Sequence, residues 1–176
     1  MIGRVAVAAA LLATLGGCGG DAESDPLGIG LIAPAIEAVR EEIGRDPRFF
    51  EINSTSDGVT LFLQDPDTTT DGGAGVRQVR FTSENGLVVA EDVMPASGAA
   101  FGVPDWVVSP EELTAEVFAE LPRSEPLMFV MTASVDEASS TTGDIVLRVL
   151  MESEMGGRLA VFVDRDGRIL GTDVIE

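Results

Sequence analysis

Two well-separated stretches of this sequence spell one pattern. Phe81 to Val93 reads Phe, three residues, Asn85-Gly86, one residue, two aliphatics, a small residue, then x-Asp-Val; Phe162 to Val174 repeats it with Asp166-Gly167 at the turn. Asn-Gly or Asp-Gly between apolar runs is the strongest short hairpin signal, because a type I′ turn needs positive φ at both central residues. A type I′ hairpin is therefore expected at each site. The step from Phe81 to Phe162 also carries Ile32 onto Leu113 and Ile36 onto Val117, within two helical patterns. Ile32, Ile36, Val39 and Ile43 fall on one face of an amphipathic helix, opened by Pro34 and closed by Gly44 with Pro47 beyond. Ser109-Pro110-Glu111-Glu112 reads as a capping box with Pro at the first helical position, and Leu113, Val117 and Leu121 supply its apolar stripe.

Between helix and hairpin, each half alternates as strands do. Val59, Leu61 and Leu63 alternate with Thr60, Phe62 and Gln64; Ile145, Leu147, Val149 and Met151 alternate with Val146, Arg148, Leu150 and Glu152. Strands are expected near Phe49–Asn53, Val59–Gln64, Val76–Thr82 and Leu87–Glu91, then near Leu127–Val135, Ile145–Glu152, Arg158–Asp164 and Arg168–Asp173. The fold class that follows is α+β: two similar helix-plus-antiparallel-sheet units, α-β-β-β-β twice, each sheet covered on one face by its helix. The units span 27–94 and 109–176, with a linker at 95–108. Asp65 to Gly75 and Asp136 to Asp144 read as polar insertions that break the correspondence.

The N-terminal stretch, 1–26, is of another kind. Met1 to Arg4 carries one basic side chain, and Val5 to Leu15 is a run without charge. The run is short of the ~20 apolar residues that cross a bilayer and has the length of a secretory signal core. Leu15-Gly16-Gly17-Cys18 resembles the lipobox of bacterial lipoproteins, an aliphatic residue and two small ones before an obligatory cysteine. The resemblance implies that residues 1–17 are a cleaved signal peptide and that the Cys18 thiol receives a diacylglyceryl group. It implies a cell-membrane location on the extracytoplasmic face, periplasmic or cell-surface. Two acyl chains anchor stably where one binds only marginally. The alternative is an ordinary secreted protein with Cys18 incidental. Residues 18–26 read as a flexible polar tether.

Charge narrows the partners. Without residues 1–17 the chain keeps ten Arg against 30 Asp and Glu, a formal charge of −20. Such a chain repels phosphate backbones, so nucleic acid is not an expected partner. Lys, His and Tyr are absent. Without His there is no imidazole base or histidine metal site, and without Lys no Schiff base or phosphate-loop lysine. One cysteine allows no internal disulfide, so the domain relies on its core.

In architecture, tandem helix-plus-sheet units resemble PepSY-type domains and β-lactamase-inhibitor-like tandem repeats, both exported bacterial groups. The resemblance assigns no residue a role.

Four groups of residues are candidate sites. Asp65-Pro66-Asp67-Thr68-Thr69-Thr70-Asp71-Gly72-Gly73 imitates a calcium loop but has Thr69 at the fifth position and Val76 at the twelfth, so a mobile polar hairpin loop is expected instead. Asp164-Arg165-Asp166-Gly167 reads as a turn by the same comparison. Glu152, Glu154, Asp136 and Glu137 are neighbouring carboxylates, but acid–base work requires one shielded from water, and a solvated edge is expected. The linker is apolar for a loop and holds the only tryptophan. Phe101 and Trp106 are the candidate binding residues, either facing a partner or folded back to bridge the sheets. No catalytic residue, metal or cofactor is expected. The reading is a membrane-anchored protein-interaction or ligand-sequestering module, with a carrier of a lipid or other apolar ligand as alternative and a carboxylate-dependent hydrolase third.

Overall fold

The computed structural model describes residues 25–70, 73–96, 98–105, 108–134 and 145–175. Cys18, the signal segment, Trp106, Asp136 and Glu137 lie outside the described residues. A single 3-10 turn, Ile29–Leu31, runs into α1 (Ile32–Ile43), followed by β1 (Phe49–Thr55), β2 (Gly58–Thr70), β3 (Gly73–Thr82) and β4 (Gly86–Pro95). Then come α2 (Pro110–Glu120), β5 (Ser124–Ala133), β6 (Ile145–Ser153), β7 (Arg158–Val163) and β8 (Ile169–Ile175). The eight strands form one antiparallel sheet in the order β4-β3-β2-β1-β5-β6-β7-β8. Among the described residues the class is α+β, mostly antiparallel sheet with two helices. Among the described residues no helix is long and apolar enough to cross a membrane.

Paired residues share a face of the sheet, and two rows across it explain the core. Val79, Leu61, Ile52, Met131, Leu147 and Val163 are successive partners from β3 to β7, none more than 3% exposed. Beside them run Val59, Ser54, Phe129, Val149 and Val161, all fully buried. The alternation in the sequence thus makes one apolar floor spanning both halves. Ile32, Ala35, Ile36 and Val39 of α1, with Leu113 and Val117 of α2, belong to the same cluster. On the opposite face the matching row is Arg80, Thr60, Asn53, Val130, Arg148 and Phe162. Its polar share fits a face that water reaches.

One member of the second apolar row is out of place. Ser54 Oγ is buried without a hydrogen-bond partner, and a buried hydroxyl without a partner costs free energy that water would have supplied. Ser54→Ala is expected to raise stability by ~1 kcal/mol, because it removes the desolvated oxygen and leaves almost no void. Chemical denaturation of the two proteins measures it; a loss of stability would mean the hydroxyl has a partner.

The helix boundaries follow their signals. Gly44 ends α1, and Ser109 Oγ accepts from Glu112 N at 3.3 Å as a capping residue should. The hairpins differ from expectation. Gly86 and Gly167 have φ of +64° and +83°, but no other residue type has positive φ, so neither turn is type I′. Thr82 pairs with Gly86, and Asp164 N donates to Arg168 O, which fits a longer loop closed by a glycine bulge. Side chains fix the choice: Thr82 Oγ1 accepts from Asn85 N, and Asp164 Oδ1 accepts from both Asp166 N and Arg168 N.

The first polar insertion also differs. Asp65 to Thr70 continues β2 rather than forming a loop, with a register shift between Asp65 and Thr69. That irregularity accommodates Pro66, which cannot donate to a ladder, and the threonines that follow are strand formers. The linker returns to the core. Phe101 and Phe49 exchange backbone bonds at 2.8 and 2.9 Å, and their rings lie 5.8 Å apart.

Candidate ligand groove

Ile43 belongs to the apolar stripe of α1 by spacing, yet it is 38% exposed. It faces no covering element because α1 ends there, and the groove begins where its cover stops. A groove of about 630 Å³ runs between the end of α1 and strands β2, β3 and β4. Val39 and Ile43 form one wall, with Leu63, Val79, Leu87 and Val89 from the strands. Its polar end is built from the connection after α1 and from two strand residues: Arg45, Asp46 and Arg48, then Asp65 and Arg77.

Each polar group is held. Gln64 N donates to Arg48 O at 2.8 Å, which fixes the connection against β2, and the Arg48 side chain donates to Ala100 O in the returning linker. Asp65 is 7% exposed, and Arg77 Nη2 lies 2.8 Å from its Oδ2. A buried carboxylate survives because it is paired. Asp46 is paired with Arg40, with Nε 2.9 Å from Oδ1, and Arg40 also holds Glu37. Those exposed pairs contribute little to stability.

The signal for this site lies in the strand phase. Asp65 follows Val59, Leu61 and Leu63 at every second residue, and Arg77 precedes Val79 and Phe81 in the same way. Both charges thus occupy positions that alternation assigns to the apolar face. Leu63 pairs with Arg77, and Asp65 with Gly75, so the two exceptions are diagonal neighbours on one face. Arg45 and Arg48 carry no such mark; they read as ordinary residues of a helix–strand connection.

The other candidates separate. Phe101 is 1% exposed and packs on Phe49, so in this conformation its ring is not offered to a partner. Glu152 and Glu154 are exposed, and Asp164 is engaged by its own turn. Among the described residues no three His, Cys, Asp or Glu side chains converge to hold a metal ion. A second hollow of about 160 Å³ lies between α1 and the linker, lined by Ile32, Ile36, Val108, Phe129 and Met131; it falls below the ~300 Å³ of a small-molecule site. No family model, curated protein or solved structure matches this chain.

Proposed function

We propose that this is a lipid-anchored extracytoplasmic binding module that holds an apolar or amphipathic small molecule between α1 and strands β2 to β4. The observation that carries the reading is the groove, whose volume of about 630 Å³ lies within the ~300–1,000 Å³ usual for ligand sites. An apolar wall with a few polar groups at one end is the composition such sites have. The anchor rests on Leu15-Gly16-Gly17-Cys18 and the apolar run before it. Asp25 lies seven positions beyond Cys18, which tethers the domain within about 25 Å of the acylated sulfur. Ligand drawn from the membrane would have a short path.

The two halves are also read as copies of one α-β-β-β-β unit. The common offset of helix and hairpin supports this, as does the element order, one helix and four strands in each half. A protein-interaction module is the second reading. It is favoured by β8, the edge of the sheet among the described residues, where Leu170 and Val174 are each 70% exposed beside backbone groups that no further described strand pairs. A carboxylate hydrolase draws no support: Asp65 is the buried carboxylate among the described residues, and Arg77 holds it.

Cys18→Ser tests the anchor. The variant is expected to leave the membrane fraction and to lose the mass change of acylation and cleavage. Membrane retention with unchanged processing would overturn the anchor. Val89→Trp tests the groove, because Val89 is 36% exposed at its mouth and a larger ring fills space without entering the core. Organic extracts of purified wild type are expected to contain a small molecule that extracts of this variant lack; equal extracts would remove the groove as its site.

A further inference from the structure

The last strand is nearly the same pattern read in either direction. In Ile169-Leu170-Gly171-Thr172-Asp173-Val174-Ile175, Thr172 is central, Gly171 balances Asp173, Leu170 balances Val174, and Ile169 balances Ile175. We propose that two copies of this chain pair antiparallel through β8, about a two-fold axis at Thr172, so that their sheets become one. This rests on the reading of β8 as a contact edge and is independent of the groove. The backbone is turned the right way for it. Along an antiparallel strand, bonds to the two neighbours alternate. Asp164 N donates to Arg168 O, so Ala160 and Phe162, in step with Asp164, bond toward their partners Asp173 and Gly171. Thr172 and Val174 therefore turn their N–H and C=O groups outward. Val174 N agrees, since it donates at 2.9 Å to Asp173 Oδ1 in its own strand.

In such a pair Thr172 exchanges backbone bonds with Thr172 of the other copy, and Leu170 lies opposite Val174 twice. Both side chains are 70% exposed in the single chain, and apolar cross-strand pairs stabilise a sheet. Asp173 falls opposite Gly171, whereas an axis at Asp173 would set two carboxylates face to face, which is destabilising. That selects the register. Charge also selects the edge. The β7–β8 hairpin, 158–175, holds three Arg and three Asp and is formally neutral, in a chain of net charge −19. The other edge, β4, has Glu91 and Asp92 in succession and ends on Pro95, and edge charges and prolines discourage pairing. β8 has neither Pro nor Lys. Both edges carry a register shift, so that device does not separate them. A two-fold contact uses the same patch on both copies and closes at two, leaving β4 at each outer edge.

The test uses the full mature chain in mild detergent, followed by sedimentation equilibrium. A dimer without larger species is expected. Thr172→Pro removes an outward donor and no bond to β7, a place where an edge strand tolerates proline. It is expected to weaken the dimer at least about tenfold, the scale of the two backbone bonds lost, with an unchanged circular dichroism spectrum. Thr172→Cys is expected to form a disulfide between copies on mild oxidation, because hydrogen-bonded partners lie ~5.5 Å apart at Cα, within disulfide reach. Ile175→Cys, about 20 Å from its own mate in this register, is expected not to, and wild type sets the background. A chain that stays monomeric at every concentration would overturn self-pairing while leaving β8 open to another protein. A dimer that Thr172→Pro leaves intact and Thr172→Cys does not cross-link would overturn β8 as the contact edge. Open-ended assemblies without that cross-link would show β8 meeting β4 head to tail, and would overturn the two-fold.

Discussion

Phe129→Ala is expected to lower stability by ~3–5 kcal/mol, the range for deleting a buried aromatic ring. Phe129 sits in β5, the strand that joins the two halves of the sheet by pairing with β1. It is fully buried, with Ser54 on one side and Val149 on the other as direct partners. Its ring also lines the hollow beneath α1 with Ile36 and Val108, so helix, linker and both half-sheets lose contacts together. The site collapses poorly, because strands on both sides fix its backbone. Against a total of ~5–15 kcal/mol for an ordinary domain, the loss is large. Thermal unfolding followed by circular dichroism should show a fall of roughly 10 °C in Tm. A fall of only a degree or two would mean that β1 and β5 are not joined through a shared core.

Gly28→Ala is expected to cost ~3–5 kcal/mol, for a different reason. Gly28 has φ of +62°, and a Cβ there would lie 1.9 Å from the carbonyl oxygen of Thr55. The left-handed conformation alone costs an L residue ~1–2 kcal/mol. The clash is with backbone at the end of β1, which cannot rotate away as a side chain could. The turn before α1 must lift off the sheet, and Leu27 and Ile29, 1% and 3% exposed, go with it. Each such side chain contributes ~1.5–3 kcal/mol by burial. Asp25 braces the same turn, its carboxylate accepting from Leu27 N and Gly30 N. Urea denaturation measures the cost, and a change below ~1 kcal/mol would contradict the close approach.

Much of this architecture could be read from periodicity. The phase of Val59, Leu61 and Leu63 and of Leu147, Val149 and Met151 matches the buried face of β2 and β6. Ser109 and Gly44 mark helix ends because capping is local chemistry, decided between near neighbours in the chain. The turn geometry was less legible. Asn85-Gly86 and Asp166-Gly167 announce a hairpin, but Thr82 and Asp164 choose its length by binding backbone N–H groups within the turn. The union of all strands into one sheet depends on β1 meeting β5 with β2, β3, β4 and α2 lying between them in the chain. No local pattern encodes so distant a partner. The groove was hidden for the same reason. Asp65 and Arg77 could be flagged as charges in an apolar phase, whereas Arg45 and Arg48 join them only through the end of α1. Phe101 could be called buried or exposed from composition alone; its backbone exchange with Phe49 decides.

Native mass spectrometry of the full chain, released from lipid discs, tests the central claim of a lipid-anchored protein with an occupied groove. The account predicts a polypeptide beginning at Cys18 with a covalent diacylglyceryl mass, plus a small non-covalent adduct stripped by collisional activation and missing from Val89→Trp. An acylated chain with no adduct, or with the same adduct in the variant, would contradict the groove. A chain of unmodified mass would contradict the anchor.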